Sequence, residues 1–146
     1  MVNEARTINA SVREYLFETV YESPADRVHF AHEAMSIQLN IGRQTGKTYF
    51  CITSVMASRG TAEKSLMVVF SADLKRHLMS MSDIRNDEIA TIHEVLQGEY
   101  SDIKYETIYV DEPKYCFRGI SEYEFLNLMI DDNNLHKQTF IYIGTF

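Results

Sequence analysis

Hydrophobic positions follow two patterns along this chain, helical spacing and short continuous runs. Residues 9–21, 24–35 and 48–57 carry apolar side chains at the three- and four-residue intervals of a helix, which predicts three helices with one apolar face each. Ser23 and Pro24 mark the start of the second helix, because serine caps helices and proline fits the first helical position.

The continuous runs predict strands. Residues 66–70, 107–110 and 138–143 are short and mostly apolar, as expected for strands that are buried on both faces of a parallel sheet. Residues 36–41 alternate between polar and apolar and predict a further strand. Because helical segments separate these runs, the pattern predicts an α/β fold in which a mostly parallel central sheet carries helices on both faces.

One further segment allows two interpretations, and another predicts a helix start. In residues 82–101 the apolar positions between 89 and 96 fit a helix that Gly98 closes, whereas an extended hairpin is the alternative. Residues 121–124, Ser-Glu-Tyr-Glu, have the spacing of a capping box and predict a helix that runs to about Ile130.

Length and composition limit the class of protein. The 146 residues suit a single compact domain, which we divide into an N-terminal helical appendage at 1–35 and a core at 36–146. The net charge of −7 argues against holding DNA by bulk electrostatics, although it leaves room for a local basic patch. The two isolated cysteines fit a reducing cytosol. Without a run of 18 apolar residues or an apolar leader, we expect a cytoplasmic protein with no membrane partner.

The most informative stretch is 41–48, Ile-Gly-Arg-Gln-Thr-Gly-Lys-Thr, between a predicted strand and a predicted helix. In that context backbone N–H groups and the helix N-terminus favour a phosphate group. Lys47 would place its charge on the β- and γ-phosphates, and the Thr48 hydroxyl would ligate Mg²⁺. The usual early glycine is replaced by Ile41, and Gly42 comes one residue late. An ordinary turn that carries lysine and threonine is therefore the alternative.

Asp111 and Glu112 stand at the end of the run 107–110. In a parallel sheet, strand ends point at the edge where the loop lies. Asp111 would hold Mg²⁺ through water, and Glu112 would orient and deprotonate the attacking water. Taken alone, such a pair is usually just solvated. Thr145 follows the last predicted strand and would lie near the γ-phosphate, unless it belongs to a frayed chain end.

The appendage offers further candidates. His29, Phe30 and His32 would contact the adenine base if the appendage covers it, whereas a helix face packed on the sheet is the simpler interpretation. The two histidines would hold a metal ion only with further clustered ligands.

The loop at 40–48 resembles the variant loop of phage terminase large subunits, the motors that package DNA. In that family an apolar and a small residue precede Arg-Gln, one variable residue and Gly-Lys-Thr or Gly-Lys-Ser, and the early glycine is also missing. The Asp-Glu pair is similar to the Walker B motif of ATPases with a catalytic glutamate, helicases included. Residues 66–81 look like the family's second strand and helix, and 141–145 look like its motif III, which links hydrolysis to movement. The resemblance covers about residues 24–146.

The resemblance implies a three-layer P-loop NTPase fold and Mg²⁺-dependent hydrolysis of ATP coupled to work on DNA. It implies double-stranded DNA and other motor subunits or further copies of the chain as partners, a phage origin and a place in the host cytoplasm. It also gives Arg43 the role of an arginine finger in cis. The expected catalytic residues are Glu112, Lys47 and Arg43, the metal ligands are Thr48 and Asp111, and the nucleotide-binding residues are Gly42, Arg43, Gln44, Thr45, Gly46, Lys47, Thr48 and Thr145.

The chain ends just past the motif III segment, so we expect no nuclease activity and packaging only as part of a larger assembly. A nucleotide-binding regulatory or adaptor module with little hydrolysis is the main alternative, favoured by the short chain and its acidic charge. A small-molecule or nucleotide kinase is weaker, because no arginine-rich lid follows residue 118.

Overall fold

Helices and strands alternate through the residues that the computed structural model describes, which are 24–39, 46–132 and 137–144. The helices are α1 (Pro24–Ala34), α2 (Lys47–Ala57), α3 (Ala72–Met81), α4 (Ile92–Leu96), α5 (Pro113–Cys116) and α6 (Glu122–Met129). The strands are β1 (Ser36–Leu39), β2 (Ser65–Val69), β3 (Ile89–Thr91), β4 (Thr107–Asp111) and β5 (Thr139–Ile143). None of these helices has the length and apolar character needed to cross a membrane.

The five strands form one sheet in the order β1-β5-β4-β2-β3, and every neighbouring pair is parallel. The predicted α/β class is therefore confirmed, with a sheet that is entirely rather than mostly parallel among the described residues. The last strand, β5, lies between β1 and β4, so that it separates the strand before the loop from the strand before the two carboxylates. Asp111 at the end of β4 is in register with Ile143 of β5.

Side chains alternate across the sheet and fill a hydrophobic core on each face. On β4, Ile108 and Val110 join one core and Tyr109 joins the other. The larger core includes apolar residues of α1, α4 and α6, and the smaller core includes those of α2 and α3. Strands β2, β4 and β5 are buried along their whole length. Burial on both faces explains why these strands read as nearly continuous apolar runs.

The interpretation of residues 82–101 needs correction. Ile89–Thr91 is a strand that pairs parallel to β2, so both a helix through residue 89 and an extended hairpin are wrong. The helix starts only at Ile92, because Thr91 and Glu94 form a capping box there.

The predicted helix from residue 121 is confirmed as α6, but its capping box is wrong. Ser121 is the N-cap residue and makes no side-chain cap hydrogen bond. Ser121 and Glu124 are both exposed, so water can satisfy the groups that a capping box would have paired.

Helix α1 confirms the start predicted at Pro24, and it packs against the rest of the domain. Phe30 is buried in the larger core, as the packing interpretation predicts, while His29 and His32 are exposed. The His32 Nδ1 atom lies 2.8 Å from Glu122 Oε1 of α6. The helix predicted at 9–21 lies outside the described residues, and the domain boundary at residue 35 stays a prediction.

Candidate functional site

Four of the predicted site residues meet at the carboxyl edge of the sheet. Lys47 and Thr48 begin α2, Asp111 ends β4, and Glu112 follows as the N-cap residue of α5. The Lys47 Nζ atom forms an ion pair with Glu112 Oε1, and the Thr48 hydroxyl donates a hydrogen bond of 3.0 Å to Asp111 Oδ2. The prediction that the Lys-Thr and Asp-Glu pairs share one sheet edge is confirmed by these contacts.

The start of α2 is open towards the same edge. Gly46 is the N-cap residue in a left-handed conformation, with φ 75°, and its carbonyl accepts the first helical hydrogen bond from Phe50 N–H at 2.8 Å. Because glycine has no side chain, Gly46 itself provides no side-chain cap for the first N–H groups of the helix. Such groups and the helix dipole favour an anion. The predicted residues Gly42, Arg43, Gln44, Thr45 and Thr145 lie outside the described residues.

Asp111 is a buried carboxylate, only 2 % exposed. Its Oδ2 atom accepts the Thr48 hydrogen bond, whereas Oδ1 has no hydrogen-bond partner among the residues that the structure describes. Burial raises the pKa of Asp111 and the nearby charge of Glu112 adds to this, while the Thr48 hydrogen bond and Lys47 oppose it. A carboxylate held in this way is suited to a cation that would bind the unpaired oxygen.

Both cysteines lie near Asp111 and are free thiols, as the sequence predicts. The Cys116 thiol donates to the Asp111 carbonyl oxygen at 3.3 Å. Burial, with the charge of Asp111, raises the pKa of Cys51 and of Cys116. Both thiols are therefore neutral at physiological pH and act as small apolar groups beneath the site.

Glu112 has an unusual backbone conformation, with φ 56° and ψ 68°. It is the only non-glycine residue of the described ranges with a positive φ. Its N–H donates to Ile143 O at 2.9 Å, and its carbonyl accepts from the N–H groups of Tyr115 and Cys116. These backbone bonds hold Glu112 in a conformation that costs about 1–3 kcal/mol, and the ion pair with Lys47 positions its carboxylate.

Gly144 is a residue of the site that the sequence reasoning missed. It has φ 138°, and a Cβ atom built there would lie 3.0 Å from Glu112 Oε2 and 3.2 Å from Glu112 Cα. Its N–H donates to Leu39 O at 3.1 Å, so the end of β5 contacts the ends of both β1 and β4. A glycine directly after a predicted strand is the signal that would have indicated such a close approach.

The oxygen atoms of Thr48 and Asp111 fit Mg²⁺. No group of three or more histidine, cysteine, aspartate or glutamate residues that could hold a metal ion occurs in the described ranges. Mg²⁺ does not need one, since it usually binds through one or two carboxylates together with substrate phosphates and water. The unpaired Asp111 Oδ1 is the observation that supports this fit.

Comparison of the chain with models of protein families, with curated proteins and with solved structures found no match. The interpretation of the site therefore depends on the contacts of Lys47, Thr48, Asp111, Glu112 and Gly144.

The burial of Asp111 predicts a pH-dependent stability. Because its pKa is higher in the folded than in the unfolded protein, ionisation costs stability once the pH exceeds the ordinary aspartate pKa of about 4. We expect Asp111→Asn to raise the free energy of unfolding by about 1–2 kcal/mol at neutral pH. The gain should shrink towards pH ~3, where aspartate is protonated in both states. Urea unfolding in EDTA at several pH values measures this.

The matched control for that prediction is Asp102→Asn, because Asp102 is exposed. We expect it to change stability by less than about 0.5 kcal/mol at every pH. A gain from Asp111→Asn that does not vary with pH would contradict the role assigned to burial.

The close approach of Gly144 to Glu112 gives a second prediction. Gly144→Ala should destabilise the protein by about 2 kcal/mol or more, since the new methyl group meets the Glu112 carboxylate. Gly60→Ala is the control, because Gly60 has φ 79° and nothing within 4 Å of its built Cβ; its cost should be about 1 kcal/mol. In a Glu112→Ala background the cost of Gly144→Ala should fall. Equal costs in both backgrounds, by urea unfolding, would refute the contact.

Proposed function

We propose that the chain binds ATP with Mg²⁺ and hydrolyses it. The observation that carries this proposal is the convergence of Lys47 and Thr48, at an open helix start, with Asp111 and Glu112 at one edge of a parallel sheet. The carboxyl edge of an open α/β sheet is where ligands of such folds bind. The side chains supply a cation for phosphate, oxygen ligands for a metal and a carboxylate base.

Lys47 and the N-terminus of α2 would bind the phosphates. The Lys47 side chain is only 13 % exposed, so its charge acts in surroundings with little water to screen it. The uncapped N–H groups after Gly46 would donate to phosphate oxygens. Both features select an anion with several oxygens, which a triphosphate provides.

Thr48 and Asp111 would hold the magnesium ion. When bound, Mg²⁺ neutralises negative charge that develops on the phosphate oxygens. The hydrogen bond between Thr48 and Asp111 already brings the two ligand groups together. Binding of the ion would therefore need little rearrangement of Thr48 and Asp111.

Glu112 would act as the base that orients and deprotonates the attacking water. Its carboxylate is paired with Lys47, so phosphate oxygens that take over Lys47 would leave Glu112 able to accept the proton from water. Replacement of Glu112 by phosphate as the partner of Lys47 would therefore make the base available only when the nucleotide is bound. Arg43, in the loop that resembles the terminase loop, would stabilise the transition state; such an arginine is worth ~10³–10⁵ in rate.

The loop resemblance supports coupling of this hydrolysis to work on DNA, as in packaging or translocation. In this proposal the chain is phage-encoded, acts in the host cytoplasm and works together with other subunits or copies of itself. Two features of the sequence support this coupling. One is the form of the loop at 40–48, and the other is the order of three motifs along the chain: the loop, Asp111–Glu112 and the end of β5.

A nucleotide-binding module with little hydrolysis is the second candidate. The ion pair between Lys47 and Glu112 favours it, since a carboxylate that stays paired with the lysine cannot accept a proton from water. Release of phosphate by the wild-type protein, with and without double-stranded DNA, separates the two functions. If no phosphate is released under either condition, the binding module is the remaining function. Transfer of phosphate to a nucleoside monophosphate would instead indicate a kinase.

Lys47→Ala should abolish the binding of ATP·Mg²⁺, with a loss of at least about 100-fold, because it removes the only lysine at the site among the described residues. Isothermal titration calorimetry measures the affinity. Lys104→Ala is the matched control, since Lys104 is exposed and lies before β4, at the opposite edge. Unaltered affinity of Lys47→Ala for ATP·Mg²⁺ would refute the site.

Glu112→Gln should keep the affinity for ATP within about threefold and reduce the rate of phosphate release by about 10²–10⁴, because an amide cannot accept the proton. Calorimetry and a phosphate-release assay on the same preparation test both parts. Turnover at the wild-type rate would remove Glu112 from the mechanism.

A further inference from the structure

Two exposed aromatic rings lie beside the candidate site. Phe70 follows β2 and Tyr115 belongs to α5, which follows β4, so both lie at the carboxyl edge of neighbouring strands. Their side chains are 38 % and 41 % exposed, and their ring centroids are 5.5 Å apart with planes tilted by 41°. Most large apolar side chains of the described residues are buried, so this pair needs an explanation.

Two positively charged side chains lie beside the rings. The Arg118 guanidinium lies 5.5 Å from the centroid of the Tyr115 ring, and Lys114 is exposed next to Tyr115 in the chain. In the described ranges five lysine and arginine side chains form ion pairs with aspartate or glutamate, whereas Lys114 and Arg118 belong to the six that form none. We call Phe70, Lys114, Tyr115 and Arg118 the aromatic patch.

We propose that the aromatic patch binds single-stranded nucleic acid by stacking unpaired bases on its rings. Aromatic side chains and arginine are the groups on which bases stack without regard to sequence, and nearby cations contact the backbone phosphates. A duplex hides the faces of its bases and offers mainly phosphates, for which two cations on a chain of net charge −7 are a weak site. An apolar protein partner would leave Lys114 and Arg118 without an opposite charge.

The patch is joined to the candidate site through one short helix. The N–H groups of Tyr115 and Cys116 donate to the carbonyl of Glu112, each at 3.0 Å. A base stacked on Tyr115 would therefore lie one helical turn from the proposed catalytic glutamate. Binding of the strand needs no hydrolysis, and only a link between the strand and the rate rests on the proposed function.

The test uses fluorescence anisotropy of a labelled oligothymidylate of about 20 nucleotides, without ATP, at about 50 mM salt. We expect saturable binding by the full chain. Tyr115→Ala and Phe70→Ala should each weaken it by at least about fivefold, and Tyr115→Phe should retain it because the ring is kept. The matched control is Tyr123→Ala, since Tyr123 is 50 % exposed on α6, where it lines a cavity with Val28 and His29 of α1.

A second pair of variants tests the charge. Arg118→Ala should weaken binding and reduce its dependence on salt, whereas Lys104→Ala should leave both unchanged. A duplex of the same length should bind more weakly than the single strand. All these side chains are exposed, so the variants should keep the fold, which circular dichroism checks.

Three results would overturn the proposal. They are no saturable binding of the single strand, equal binding by the wild type and the two ring variants, and a loss of ATP affinity rather than oligonucleotide affinity in Tyr115→Ala. The last result would assign the ring to the base of the bound nucleotide. The variant Lys47→Ala distinguishes a failure of this proposal from a failure of the proposed ATP site, because it should lose ATP binding and still bind the oligonucleotide.

Discussion

Burial of the Asp111 carboxylate is the constraint on which the candidate site depends. A carboxylate that is 2 % exposed loses its contact with water, and its pKa rises because the charged form is poorly solvated. The Thr48 hydroxyl compensates one oxygen only. A stable apolar strand tolerates this cost at its end, because β4 is buried on both faces and paired along its length with β2 and β5. The cost marks the place where a ligand would bind favourably.

Strand β5 then determines how the end of β1, where the loop begins, lies relative to the end of β4, where Asp111 and Glu112 stand. It lies between β1 and β4, and its end donates or accepts backbone hydrogen bonds with both: Ile143 O accepts from Glu112 N–H, and Gly144 N–H donates to Leu39 O. Two backbone hydrogen bonds therefore connect the end of β1, through the end of β5, with Glu112. The left-handed conformation of Glu112 and the missing side chain at Gly144 are the local conditions for this arrangement.

The sequence predicted those parts of the fold that long-range packing reinforces. Strands β2, β4 and β5 are apolar because both faces are buried, and the Lys-Thr and Asp-Glu pairs identified two positions that the sheet does bring together. Strand β3 escaped prediction because three residues carry almost no period, and Ile89 continues the apolar spacing of α4. The contact of Gly144 with Glu112 depends on β5 lying next to β4, which no local pattern contains. The ion pair of Lys47 with Glu112 also lies beyond local patterns, since hydrophobic periodicity determines neither the order of the strands nor the direction of the side chains.

Three unfavourable features of the described residues lie together at one end of the sheet. Where Lys47, Thr48, Asp111 and Glu112 meet, the structure has an Asp111 oxygen with no partner among the described residues, a non-glycine residue with positive φ and a helix start to which Gly46 gives no side-chain cap. At the opposite edge the charged Glu88 is paired, because it accepts from Arg59 Nε at 2.7 Å and from Arg85 N–H at 2.8 Å, and the buried polar atom without a partner among the described residues is the neutral Thr107 hydroxyl. Strained backbone conformations and buried charges without a full set of partners cluster at binding and catalytic sites of proteins. The asymmetry between the two edges is thus a physical argument for a ligand site that does not depend on any resemblance of the loop.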